Sequence, residues 1–513
     1  MMQKVPENDR LEEPSTLPSM KRMAGNTAWN MVGMCAPMVV ALFSIPLLIR
    51  GLGDDRFGLL ALVWMLVGYF SIFDLGLGRA LTKMTAECLG RKEQEQIPRL
   101  FWTSMTLMTG LGLIGAVLLW FSAPWLALRV LNVPEHLQPE TLTAFRVVSF
   151  GLPVVVAITG LIGVLEAYQR FKLINLVRIP TGMFTFLGPL AVLPFSTSLS
   201  AVVGVLIAGR IAEWLIYFLA CLRCVPRLGG LIRFEAARIK GLLCFGGWMT
   251  VSMIATPLMI HIDRFLIGAI ISVSAVAYYV TPAAIVVKLL IFPRAWVSVL
   301  FPAFAANFFV DRLAVAKMFG QGVKFLLAAS FPVILAVVAF APEGLLLWLG
   351  PEFSTHSTPV MRWLAAGILV YSLSFLPCAL LQGAGRPDIT AKVHLAELVA
   401  YLVLASVMIH FFGIVGAAMA WFVRGAVDAL AMFGLARRFA PESWSQVSRV
   451  FRALAAGLVV IIFAVLAPEL WMRVLVWLLG AGGFALVSWS YLFTSKEQRE
   501  VLRVLSAVKA RAL

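Results

Sequence analysis

The sequence predicts an all-α polytopic membrane protein of about 14 transmembrane helices, arranged as two homologous six-helix lobes followed by two extra C-terminal helices. Three observations predict it. Apolar runs follow one another almost without interruption from residue 26 to residue 493. Hydrophobic residues make up 61% of the chain and charged residues 13%, with a mean hydropathy of +0.92. The second half of the series repeats the first. Soluble domains carry roughly 25% charge, so a soluble fold of this size could not hide so much apolar surface.

Runs of about 17 to 25 residues cross a bilayer as helices. They place helices near residues 26–49, 57–78, 100–122, 143–166, 174–194, 198–221, 241–261, 275–300, 317–340, 358–382, 389–410, 412–435, 451–467 and 471–493. A closed barrel would need alternating strands of about ten residues. These runs are continuous, so the helical solution stands.

Basic residues orient the series. With the N-terminus inside, the inner segments hold Arg79, Lys83, Arg91, Lys92, Arg170, Arg178, Arg223, Arg238, Arg312, Lys324, Arg386, Arg437 and Arg449, among others. The outer loops hold Arg50, Arg56, Arg129, Arg146, Arg264, Arg362 and Arg473. Such a bias predicts both termini in the cytoplasm and an even helix count. It also accounts for the net charge of +16, so the basic composition reads as topology and nucleic acid is not an expected partner.

The expected organisation is a polar tail at 1–22, a first lobe at 23–222, an inter-lobe linker at 223–240 and a second lobe at 241–438. Two additional helices at 439–495 and a basic tail at 496–513 complete it. The tail at 1–22 has no apolar core of a cleavable signal, so the first helix reads as its own insertion signal. The loops are too short for a catalytic domain, and no paired-carboxylate or His constellation suggests an enzyme. The Cys221-x-x-Cys224 pair lacks a second pair or a His cluster, so neither a metal nor a cofactor is expected.

The repeat is visible in residues. RVVSFGLPVVVAITGLIGVLEAYQR from Arg146 to Arg170 matches RWLAAGILVYSLSFLPCALLQGAGR from Arg362 to Arg386. AGRIAEWL around Arg210 and Glu213 mirrors FVRGAVDAL around Arg424 and Asp428. FSIPLLIR mirrors IATPLMIH and brings Pro46 onto Pro257, with offsets of about 211 to 216 residues throughout. Six helices per half give both halves the same orientation, the build of a secondary transporter.

Together with IRGLGDDRFGLLALVW, FDLGLGRALTK and the L-E-A-x-x-R / L-Q-G-x-x-R repeat, these features resemble the polysaccharide-transport family. Its members are bacterial flippases of the O-antigen, capsule and exopolysaccharide pathways, in the superfamily that holds multidrug-and-toxin exporters and the lipid II flippase. The resemblance spans residues 22–435. It implies a V-shaped pair of lobes in the bacterial inner membrane, moving an undecaprenyl-pyrophosphate-linked oligosaccharide to the periplasmic leaflet by alternating access. A membrane glycan polymerase is a candidate partner. The alternatives are a cation-coupled multidrug exporter, which would prefer an acidic, aromatic cavity, and a lipid II flippase.

A pyrophosphate head group needs a cationic, hydrated groove. Lys288, about thirteen residues into the eighth helix, and Arg294 on the same helix are the leading candidates. Each costs at least about 2.5 to 3.5 kcal/mol if it faces lipid. Asp74 precedes Lys288 by one repeat offset and is expected as its charge partner or as an ion-coupling carboxylate. Arg210 with Glu213, and Arg424 with Asp428, share helix faces; the two arginines are cavity candidates and the two carboxylates ion-coupling candidates. The alternative reading of these doublets is a buried, self-neutralising pair. His394 and Glu397 share a face near the cytoplasmic end, within reach of water. Arg146 and Arg362 are expected to snorkel to the outer interface. Pro46, Pro257 and Pro282 remove helix hydrogen bonds and are expected bends where the helices flex.

Overall fold

The computed structural model describes residues 20–69, 74–127, 135–229, 234–495 and 497–499. The first nineteen residues of the predicted polar tail, and Arg503, Lys509 and Arg511 of the predicted basic tail, lie outside them.

The described residues are helical throughout, without strands. In chain order the first half contains α1 (Met20–Leu52), α2 (Asp54–Tyr69), α3 (Leu77–Gly90), α4 (Ile97–Trp125), α5 (Gln138–Ala167), α6 (Phe171–Val192) and α7 (Leu199–Cys224). The second half contains α8 (Ile239–Ile270), α9 (Val273–Lys288), α10 (Ile291–Asn307), α11 (Arg312–Ala339), α12 (Ala341–Leu349), α13 (Pro351–Gly383) and α14 (Pro387–Ala436). It is followed by α15 (Trp444–Leu466) and α16 (Leu470–Val487).

Among the described residues, 12 helices are long and apolar enough to cross a membrane. Two further crossings complete the predicted series. One is the predicted run 57–78, in which α2 ends at Tyr69 and α3 begins at Leu77. The other lies inside α14, which is a hairpin. In a straight helix Glu397 and Arg424 would stand about 40 Å apart and His394 and Asp428 about 50 Å apart. Instead Arg424 Nη1 is 3.1 Å from Glu397 Oε1, and His394 Nε2 is 3.9 Å from Asp428 Oδ1. The chain reverses at Gly413, whose φ of 60° and ψ of −143° only glycine adopts readily.

Residues 79–90, expected in a cytoplasmic loop, form most of α3. Arg79, Lys83, Glu87 and Arg91 recur every fourth residue and so fall on one stripe. The opposite face buries Leu77, Ala80, Leu81 and Cys88. Counting apolar runs missed this helix because its charges interrupt the run without interrupting the helical period.

The eighth predicted helix is likewise broken, into α9 and α10. Pro293 has no N–H to offer the Leu289 carbonyl, which accepts from the Phe292 N–H at 3.2 Å instead. The breaks at Asp74–Gly76 and at Leu289–Leu290 are one repeat offset apart, so each lobe carries a discontinuous helix at the equivalent place.

Within the first lobe α5 packs on α3, α4 and α7, and α1 packs on α6. Within the second, α13 packs on α9, α10, α11, α12 and α14. The two extra helices pack on α11, where Phe331 stacks on Phe484 at 4.0 Å and Trp477 donates to the Pro332 carbonyl. The start of the predicted basic tail is held against the protein, because the buried Glu497 carboxylate accepts from Lys324 Nζ at 2.9 Å.

Candidate functional site

The two helix breaks organise the site. In transporters with internal repeats, interrupted helices at matching positions mark where substrates meet the protein. At the first break Leu75 and Gly76 adopt positive φ, and the Asp74 carboxylate accepts from the Gly76 N–H at 2.7 Å and from Thr159 Oγ1 at 3.1 Å. Asp74 forms no ion pair among the described residues. The expected ion pair with Lys288 is not formed; the Asp74 carboxylate instead holds the turn that precedes α3.

Lys288 ends α9, and Arg294 lies in the first turn of α10; both side chains are exposed and neither has a hydrogen-bond or ion-pair partner among the described residues. The exposed positions of α9 leading to Lys288 are Ala277 and Ala284, with half-exposed Thr281 between them. Lipid-facing stripes here look different: α4 exposes Leu113, Val117 and Phe121. A stripe of small and polar residues ending in an unpaired lysine has the character of a hydrated path.

Arg79 completes this set and was missed by sequence reasoning, which left it in a loop. It lies in the first turn of α3, one repeat offset before Arg294. Its guanidinium sits 5.3 Å from the ring centroid of Phe301 on α10 and makes no ion pair among the described residues. The matching positions of Arg79 and Arg294, each just after a break, were the available signal.

The remaining candidates separate into two clusters, one half-buried and one buried. In the first lobe Arg210 Nη1 meets Glu213 Oε2 at 2.7 Å, as their spacing suggests. The pair lines a cavity of about 200 Å³ together with Trp64, Thr181, Phe184 and Thr185.

In the second lobe Arg424 pairs with Glu397 and not with Asp428, because the α14 hairpin brings the preceding arm against it. The guanidinium lies 4.7 Å from the Tyr371 ring centroid, 4.9 Å from Trp421 and 5.5 Å from Tyr401. His394 and Glu397, expected within reach of water, are 7% and 9% exposed. The hairpin covers them. One ligand atom from each of His394, Glu397 and Asp428 falls within a 4.8 Å span.

Asp263 joins this region unannounced, accepting from Tyr279 Oη at 2.6 Å and from Tyr401 Oη. It falls beyond the apolar run 241–261, whereas α8 continues to Ile270.

Pro46 and Pro257 lie inside α1 and α8, which run through them as single helices, and Pro282 lies in α9 before Lys288. Arg146 covers the Trp120 ring at 5.0 Å. Arg362 donates to the carbonyls of Val338 and Val465, tying α13 to the ends of α11 and α15.

Comparison with known proteins agrees with this architecture. Residues 47–358 match a family described as polysaccharide biosynthesis protein. A Shigella flexneri protein assigned as an O-antigen transporter is 30% identical over 415 residues, covering 79% of this chain and 96% of that protein. A Haloferax volcanii protein assigned as the low-salt glycan biosynthesis flippase Agl15 is 24% identical over 231 residues, covering 44% of this chain and 49% of that protein. A solved outward-facing multidrug-resistance transporter of the MATE family superposes with a TM-score of 0.69 at 16% identity, covering 84% of this chain and 98% of that one.

Proposed function

Since the chain belongs to the polysaccharide biosynthesis family of membrane flippases, we propose that it moves undecaprenyl-pyrophosphate-linked oligosaccharide repeat units across the bacterial inner membrane. The movement is by alternating access of the two lobes, residues 23–222 and 241–438, with both termini in the cytoplasm.

One observation carries the reading: Lys288, Arg294 and Arg79, none of which forms an ion pair among the described residues, stand at repeat-related helix breaks. Free cations in a membrane-embedded path are costly unless water or an anion meets them. A pyrophosphate offers oxygens that arginine binds in a fork and lysine binds as a point charge, while the polyprenyl tail stays in lipid. The same cations disfavour a cationic drug as cargo.

The test is the undecaprenyl-linked glycan pool, measured with surface polysaccharide in a strain lacking this gene. Accumulated lipid-linked oligosaccharide with loss of the surface polymer is the expected result. An unchanged pool with a normal surface would remove the proposal, and sensitivity to cationic dyes would then be measured.

A further inference from the structure

The two helices that follow the second lobe meet at a pair of cations that the transport path does not use. On α15, Arg449 and Arg452 are exposed and three residues apart, so they share a face and their like charges oppose each other. The end of α16 widens into a π-helical turn, Ser488–Leu492, which sets Tyr491 beside them. The Arg449 guanidinium lies 5.8 Å from the Tyr491 ring centroid and that of Arg452 lies 5.5 Å from it.

Other rings among the described residues take a single cation: Phe309 takes Arg91, Phe308 takes Arg312 and Trp444 takes Arg437. At Tyr491 two converge. An exposed ring face attracts a cation only weakly, so it cannot neutralise both. Carboxylates do not do so either. Glu497, the next one along the chain, is taken by Lys324, and Glu442, seven residues before Arg449, forms no ion pair with it.

The approach to the pair is apolar. Val459 and Leu466, at seven-residue spacing from Arg452, are exposed on α15, and Leu479, Leu486 and Val487 are exposed on α16 before Tyr491. The two guanidiniums therefore stand where a lipid-facing surface gives way to a polar end.

We propose that Arg449, Arg452 and Tyr491 bind the phosphate of an anionic phospholipid, whose acyl chains lie along the exposed faces of α15 and α16. Arginine forks match phosphate oxygens, and the Tyr491 hydroxyl, which has no partner among the described residues, is free to donate to another. Basic pockets between membrane helices take anionic head groups in this way. The bound lipid neutralises both cations and ties α15 to the end of α16. α15 and α16 pack chiefly on α11 and on each other, whereas Lys288, Arg294 and Arg79 belong to α9, α10 and α3. That separation favours a resident phospholipid over the cargo.

The experiment places the full chain in nanodiscs of phosphatidylcholine, with and without phosphatidylglycerol. Arg449→Gln with Arg452→Gln is compared with Arg437→Gln and Arg438→Gln, which remove the same charge elsewhere. Phosphatidylglycerol is expected to raise the Tm of the wild type and of the Arg437/Arg438 variant. The rise should be at least halved in the Arg449/Arg452 variant and in high salt, and native mass spectrometry should find one fewer phosphatidylglycerol retained by that variant. No rise in the wild type, or the same rise or the same loss in both variants, overturns the site. Displacement of the retained phosphatidylglycerol by undecaprenyl phosphate would assign the site to the polyprenyl lipid and overturn the phospholipid proposal. If the double variant does not accumulate, Arg452→Gln alone gives the same readouts.

Discussion

Arg424 Nη1 lies 3.1 Å from Glu397 Oε1, across the turn at Gly413, and not beside Asp428 on its own arm. The pair is buried and backed by the Tyr371 and Trp421 rings, so it fastens the two arms of α14 to α13.

Removing one partner strands the other charge in a low-dielectric interior. Glu397→Leu is expected to destabilise the protein by about 3 to 5 kcal/mol, read as a lowered Tm in detergent. Glu397→Leu with Arg424→Leu is expected to recover part of the loss. A Glu397→Leu protein as stable as the wild type would show that the pair does not fasten the arms.

Lys288→Ala is expected to abolish glycan export while protein level and topology stay intact. Lys288→Arg should retain some export if charge alone is needed. Normal export in Lys288→Ala removes the residue from the pathway.

Gly413→Ala forces a side chain onto φ 60°, ψ −143°, which costs about 1 to 3 kcal/mol. Gly434, on the same helix with open space around its Cα, is the control. Gly434→Ala is expected to be neutral or mildly stabilising. Equal Tm values for the two variants would contradict the hairpin.

Burial alone would push the Glu497 carboxyl up, but hydrogen bonds from Lys324, the Thr494 N–H and Gln321 outweigh it and hold the group below the usual glutamate range. Its contribution to stability is therefore present above the ordinary carboxylate pKa and is lost as pH falls through the depressed value. Glu497→Gln should lower the Tm at neutral pH and flatten its decline in acid. A parallel decline in both proteins would dissociate Glu497 from acid sensitivity.

Pro46→Ala and Pro257→Ala restore backbone donors within α1 and α8. If these prolines let the helices flex, both variants should slow export without lowering the Tm. Unchanged export would leave the prolines a purely static role.

Much of the fold was legible in the sequence because lipid imposes a simple rule. Every backbone group must be satisfied within its own helix, so apolar runs of spanning length reveal the crossings, and repeated pairs such as Pro46 and Pro257 reveal the duplication. The rule fails where a helix is broken or amphipathic. Arg79 was assigned to a loop because the α3 charge stripe resembles a connecting segment. Asp263 escaped because its helix outlasts its apolar run. His394 and Glu397 were placed near water because one-dimensional depth does not show what folds over a residue.

The sequence by itself determined the membrane class and the two-lobe repeat, since these depend on local composition and spacing; Lys288 and Arg294 it offered only as candidates. Only the tertiary structure decided partners. It gave Asp74 to the Gly76 amide, Arg424 to Glu397 and Asn30 to Ser298. The physical reason is that hydrogen bonds and ion pairs require atoms within about 3 Å, and in a helical bundle those atoms come from segments far apart in the chain, whose juxtaposition is set by packing.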